Sequence, residues 1–285
     1  MEVNKIIPKK KRGRKVKKEG KEEKEEKEEK EEIYDIDSNF NIRSVLSSLL
    51  RTFFLSLKNY CDIITLHIKD EGITISEVNS DNSVLIHSKL LSENFEEYNV
   101  DKEIPIHINL STFCEIIKHV KNDETIIFKK NKTDKFWTFE INDYENNKNE
   151  KYNINLINRP DYERINIPPA LFQHELTLQT IDYRDFIKKT KHIHTDTIIV
   201  ESTDEYIKFI CNNPELSSET IFSNGDYKGK IMSGSFPYRE MSLCTHFTNM
   251  CHVMKIYFKQ DYPIILKYDV AYLGDIKLCF APIYT

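Results

Sequence analysis

Two groups of side chains in this sequence have the types that bind metals or move protons: His192 with His194, and Cys244, His246, Cys251 and His252. A structural zinc site needs four ligands that converge from short, regular spacings. Neither group has such a spacing. A helix drawn through Met241, Cys244, Phe247 and Met250 turns Cys244 inward and His246 away from it. No Walker loop, GxSxG or HExxH occurs, so ATPase and hydrolase chemistry lack a motif. The six cysteines, Cys61, Cys114, Cys211, Cys244, Cys251 and Cys279, form no CxxC pair, and most fall in apolar-periodic segments. They are expected to be reduced core thiols. The expectation is a protein that is no enzyme, with no metal and no cofactor.

The remaining chemistry is cation against phosphate. Arg51 and Lys58 lie seven apart in a helical pattern, Lys118 and Lys121 end a second, and Lys188, Lys189, Lys191 and His192 crowd a third. Cations gathered on one kind of element suggest a surface for a polyanion. Any exposed helix face also collects lysines, so the residues alone leave both readings open.

The elements that carry these residues follow one grammar used four times. Phe40 to Val45 reads as a strand, and Leu46, Leu49, Leu50, Phe53, Phe54 and Leu57 mark a helix. Strands Ile63 to Ile68 and Ile73 to Val78 follow, turned by Lys69-Asp-Glu-Gly72, and then Val84 to Leu90. Ile108-Asn-Leu-Ser111 leads into a helix through Phe113, Ile116, Ile117 and Val120, with Ser111 or Thr112 as the expected N-cap. Strands Thr125 to Lys129 and Phe136 to Ile141 come next. Later, Tyr183, Phe186, Thr190 and Ile193 precede strands Thr197 to Glu201 and Tyr206 to Ile210. The helix through Met241 precedes Val253 to Phe258 and Pro263 to Tyr268, and Ile276 to Phe280 closes the chain.

Four helices thus each precede a hairpin, two on either side of a polar connector that runs from Ile157 and ends in Pro168-Pro169. Cys61 to Ile75 and Thr195 to Phe209 match in pattern, with Asp62 and Asp70 answering Asp196 and Asp204. An α+β body of two similar halves is expected, with an N-terminal domain at 39–156, a connector at 157–173 and a C-terminal domain at 174–285.

Residues 1–38 read as a disordered tail. Up to Glu32 they hold thirteen Lys or Arg against ten Glu, a net of +3 within an overall −5 that leaves the rest at −8. Pro8 to Lys18 concentrates eight cations, which suits an import receptor or DNA phosphates. The Lys-Glu repeat after it has no apolar face and reads as a spacer. No apolar run approaches the roughly 20 residues that span a bilayer, and the charged N-terminus lacks a signal-peptide core, so a soluble intracellular protein without membrane partners is expected. The basic run predicts the nucleus, or a cytoplasmic replication site if the chain is viral.

Over residues 39 to 283 the sequence resembles the sliding clamps of the proliferating cell nuclear antigen family, as a divergent member of the kind large DNA viruses carry. The resemblance rests on Ser92-Glu-Asn-Phe-Glu-Glu-Tyr98, Ile108-Asn-Leu-Ser111, Pro263 through Tyr268, and Asp269-Val-Ala-Tyr-Leu-Gly-Asp-Ile-Lys-Leu-Cys-Phe-Ala-Pro282, in their order and spacing. It implies the DNA clamp fold, two βαβββ-type halves joined by a connector, and three chains closed head to tail around duplex DNA.

By position, the resemblance places Arg51, Lys58, Lys118 and Lys188 in the channel, with Lys121, Lys189, Lys191 and His192 as compensating cations. Glu115 stands where a lysine is usual, and Ser242 and Asn249 where cations are expected. A partner peptide from a polymerase, clamp loader or other replication and repair protein would meet Val78, Leu85, Ile165, Ile167, Pro263, Cys279, Ala281 and Pro282. Cys279 replaces a family aromatic and Ile283 a cation. Subunit contacts would come from Tyr152, Ile154 and Leu156 on one edge and Thr220 and Phe222 on the other. The rival expectations are a monomeric processivity factor held by charge, and a transcription factor that uses the clamp fold as an interaction module.

Overall fold

The apolar alternation beginning at Phe40 folds as strand β1 (Ser38–Ser44), and the three-and-four spacing after it folds as helix α1 (Ser47–Leu57). The computed structural model describes residues 38–160, 162, 163, 165, 170–223, 225–227 and 231–284. The basic run and the Lys-Glu repeat lie outside the described residues. Strands β2 (Ile63–Lys69), β3 (Gly72–Val78), β4 (Val84–Leu91), β5 (Glu97–Val100) and β6 (Ile104–Asn109) follow. Helix α2 (Leu110–Ile117) leads to β7 (Thr125–Asn131), β8 (Phe136–Asp143) and β9 (Lys148–Asn155).

The second half repeats the plan. It runs β10 (His174–Gln179), α3 (Thr180–Thr190), β11 (Thr197–Ser202), β12 (Ile207–Asn212), β13 (Ser217–Phe222), β14 (Gly225–Tyr227) and β15 (Met232–Pro237). It closes with α4 (Tyr238–Leu243), β16 (Val253–Phe258), β17 (Ile264–Val270) and β18 (Gly274–Phe280).

Two local expectations are corrected. Helix α2 is capped by Asn109, whose side chain accepts from the Thr112 amide at 2.9 Å, so neither Ser111 nor Thr112 is its N-cap. The apolar pattern from Met241 to Met250 is α-helical only to Leu243, and Cys244–Asn249 tightens into a 3₁₀ helix. The cause lies in its hydroxyls. Ser242, Thr245 and Thr248 each donate to the carbonyl three residues back, at 2.7, 2.8 and 2.7 Å, offering local bonds that compete with the α-helical ladder.

The strands form three antiparallel sheets ordered β5-β1-β7-β8-β9, β13-β12-β11-β15 and β14-β10-β16-β17-β18-β4-β3-β2-β6. The third belongs to both halves. Its junction is the β18–β4 ladder, seven residue pairs from Gly274↔Leu90 to Phe280↔Val84. Tight packing at the end of β4 demands glycine at two turns. A Cβ on Gly72 (φ +133°) would sit 1.9 Å from the Leu90 carbonyl oxygen, and one on Gly274 (φ +156°) 1.9 Å from that of Lys89.

The helices pack side by side, with α2 against α1, α1 against the 3₁₀ turn after α4, and that turn against α3. Their apolar stripes meet the sheets. Phe54, Phe113, Phe128, Trp137 and Phe139 interlock in the first half, with Phe54 and Phe113 edge to face at 5.0 Å, an arrangement that adds about 0.5–1.5 kcal/mol per pair beyond area burial. Between halves, Tyr60 Oη donates to the Glu240 carbonyl at 2.9 Å, and Ser56 Oγ, whose nearer acceptor is the Thr52 carbonyl at 2.7 Å, lies 3.1 Å from the His246 carbonyl.

Candidate functional site

Cys244 is fully buried with its sulfur 3.4 Å from Tyr60 Oη, whereas His246 and His252 are exposed. Burial pushes the Cys244 thiol up to about 12. These side chains therefore do not converge, and no group of three or more His, Cys, Asp or Glu among the described residues is placed to hold a metal.

The helix layer presents the predicted cations in unequal states. Arg51 is occupied: one guanidinium nitrogen donates to the Val120 carbonyl and the other to Asn122 Oδ1 at 2.9 Å, where they satisfy the groups that follow α2. Lys58 and Lys118 share Glu115, the former at 3.6 Å. The hydrogen bond from Lys118 is the chief reason that carboxyl is held below its ordinary range. Lys121 lies 4.0 Å from both Glu124 and Asp143.

In the second half, Lys188, Lys189, Lys191 and His192 are all exposed and none forms an ion pair with a described residue. The last two lysines of α3 also suit the negative end of its dipole. Arg184, one turn before Lys188, joins this face with a single 3.2 Å bond to Asn249. The i, i+4 spacing of Arg184 to Lys188 was the available signal for it.

On the opposite face, Val78, Leu85 and Cys279 stand directly across from one another on β3, β4 and β18, and Ile265 continues the row on β17. Cross-strand partners project to the same side, so the four make one apolar strip. Cys279 is 5 % exposed, and burial pushes its thiol up to about 12.

Beside the strip is a cavity of about 280 Å³ lined by Ser235, Phe236, Tyr262, Pro282 and Tyr284 among others. Ala281 is held by its amide to the Ser83 carbonyl at 2.9 Å, and the chain beyond it by Ile283 to that of Ser235 at 2.7 Å. Pro263 is half-buried next to Tyr262. Ile165 is 38 % exposed, and its carbonyl accepts from Ser76 Oγ. Ile167 lies outside the described residues.

The described residues of the connector make contacts with this sheet near its two ends. Ile157 donates to the His107 carbonyl at 3.0 Å, and Arg159 and Tyr162 bond to β2 and β3. At its far end Phe172 packs 5.4 Å from Tyr257 and 5.8 Å from Tyr262. Sequence reasoning missed Arg159, Tyr162 and Phe172, although the only signal was an arginine and aromatics within an otherwise polar segment.

Of the predicted edge residues, Tyr152 and Ile154 lie on β9 and Thr220 and Phe222 on β13, while Leu156 follows β9 directly. Strand β9 ends the five-stranded sheet and β13 the four-stranded one, so among the described residues each has a row of backbone groups without a strand partner. Ile154 is buried, and Tyr152 and Leu156 are half-buried. Thr220 and Phe222 are half-buried, with Phe222 edge-on to Phe209 at 5.7 Å. Between them Ile221, not singled out from sequence, is 56 % exposed.

Residues 39–162 match the family model for the N-terminal domain of proliferating cell nuclear antigen. The chain is 25% identical over 256 residues to the probable DNA polymerase sliding clamp 1 of Paramecium bursaria Chlorella virus 1, covering 86% of this chain and 97% of that protein. In fold it resembles the crystal structure of proliferating cellular nuclear antigen from Entamoeba histolytica, with a TM-score of 0.80, 20% identity, and coverage of 87% of this chain and 100% of the other.

Proposed function

We propose that the protein is a DNA sliding clamp: residues 39–162 match the family model for the N-terminal domain of proliferating cell nuclear antigen, and the body has the fold of the Entamoeba histolytica protein. In this reading it performs no chemistry and acts as a processivity factor. It assembles head to tail as a homotrimer around duplex DNA, and tethers a polymerase, a clamp loader and other replication and repair proteins through peptides bound beneath the connector.

The observation that carries the reading is the arrangement of faces. Among the described residues the helices lie in one layer with cations on it, connector residues Arg159 and Tyr162 bond to β2 and β3 while Phe172 packs on Tyr257 and Tyr262, and β9 and β13 each end a sheet. Edges of this kind either need protection or pair with another chain. Loose contact between helix cations and phosphates gives affinity without base readout and so permits sliding.

Light scattering across a dilution series, with retention on circular against linear DNA, tests the reading. A mass of three chains and retention that depends on circularity support it. A one-chain mass with steeply salt-dependent binding to linear DNA would replace it with the charge-held factor. That alternative is disfavoured by Glu115, which neutralises cations a charge-held protein would need free. The viral relative favours a viral replication setting. Nuclear import by Pro8 to Lys18 is tested by deleting residues 1–33 and following localisation.

A further inference from the structure

We propose that the cavity at the start of α3 takes one unpaired base of a DNA single strand, stacked on Tyr272, with the neighbouring phosphates on Arg184, Lys188 and Lys191. That the polymer is DNA rests on the clamp reading above; the site is set by the cavity and the helix beside it.

The cavity, of about 730 Å³, lies where three elements meet: the first turn of α3 at Thr180 and Ile181, the start of β16 at Val253, and the turn from β17 to β18 at Ala271 and Tyr272. Its size falls within the ~300–1,000 Å³ usual for pockets that hold small organic groups. On β17 (Ile264–Val270), Ile265 of the apolar strip is at the start and Asp269 of the cavity at the end, so the two sites occupy opposite ends of one sheet. A strand held here leaves the peptide groove open.

The lining suits a flat, neutral occupant. Ile181, Met250, Val253 and Tyr272 give it apolar surface, and Gln179 and Asn249 offer amides to the edge of a base. Besides His252, its charged residues are Arg184 and Asp269, which offset one another and so disfavour a phosphate inside. Tyr272 is 86 % exposed and makes no hydrogen bond or ring contact with a described residue. Its ring is a free platform, and stacking on it accepts any base, because every base has a π-face.

The path of the strand follows from α3. Arg184, Lys188 and Lys191 stand at i, i+4 and i+7 on that helix and its C-cap, a row about 10 Å long on one face. None of the three forms an ion pair with a described residue. Arg184 belongs both to the row and to the cavity lining, so the cations lead directly into the pocket. A cationic track that ends at an aromatic platform is the arrangement that holds single strands. A duplex meets only the track, because its bases stay stacked and show no more than their edges.

Fluorescence anisotropy with the full chain tests this, using a labelled ten-nucleotide thymidine strand, a strand of equal length without bases, and a duplex of the same length. Wild type should bind the thymidine strand more tightly than the abasic one. Tyr272→Ala should weaken the thymidine strand about tenfold and leave the abasic strand and the duplex unchanged. Tyr272→Phe, which keeps the ring, should match wild type. Arg184→Ala should weaken both single strands alike and lower the salt slope by about 0.7. Equal wild-type binding of the two single strands overturns the site. So does a Tyr272→Ala that binds the thymidine strand as wild type does, the result expected if the cavity held a partner's peptide instead. A short strand needs no ring to bind, so the solution mass and the retention on circular DNA judge the clamp reading separately.

Discussion

Lys58 Nζ lies 3.6 Å from Glu115 Oε1, so a carboxylate on α2 restrains a cation of α1 on the face proposed to meet phosphates. Glu115→Gln frees Lys58 and Lys118 together. DNA affinity should rise and log K should fall more steeply with log salt, by about one further counterion. A slope equal to that of wild type would remove these lysines from the DNA surface.

Arg51 and Lys188 should separate in opposite ways. Arg51→Ala deletes bonds to Val120 and Asn122, so it should cost about 1–2 kcal/mol in denaturant unfolding and leave the salt slope nearly unchanged. Lys188→Ala should lower the slope by about one with stability within about 0.5 kcal/mol. The reverse pattern would mean that the second half does not carry the DNA contact.

Ile221 projects from the free edge of the four-stranded sheet. Ile221→Asp should leave the melting temperature of the single chain within a few degrees, because an exposed position loses little on substitution. Its solution mass should drop to one chain. A persistent three-chain mass would show that β13 is not the seam.

The thiols offer a test of packing. Burial pushes Cys61 and Cys279 up to about 12 and Cys114 and Cys211 up to about 11, and it raises Cys251 as well. At pH 8 a thiol near 11 is about 0.1% thiolate, so a disulfide reagent should react slowly with the native chain and with all six after denaturation. Rapid native labelling of Cys279 would mean that the apolar strip is open to solvent.

Periodicity carried the fold far. The three-and-four spacing placed α1 and α3, period-two alternation placed the hairpins, and Gly72 marked its turn because only glycine tolerates the approach to Leu90. What stayed hidden has physical causes. Strands β5, β14 and β15 are short or rich in polar and small residues, so alternation is weak there. The 3₁₀ turn after α4 follows from hydroxyl bonds that an apolar pattern does not register.

Site residues divide along the same line. Lys188, Leu85 and Cys279 stand at positions the family pattern could reach, yet the occupation of Arg51 by Val120 arises from chain 69 residues away. The meeting of Arg159 with Glu77 spans 82 residues, and nothing local to either announces it.

The β18–β4 ladder makes one continuous fabric of two repeats. A load that tried to part the halves within one chain would have to shear seven backbone pairs, together with the Tyr60 bond across the helix layer. Each chain is therefore the stiff link of any assembly it builds. If such an assembly must gape to admit a strand of DNA, the compliant points are the seams between neighbouring molecules.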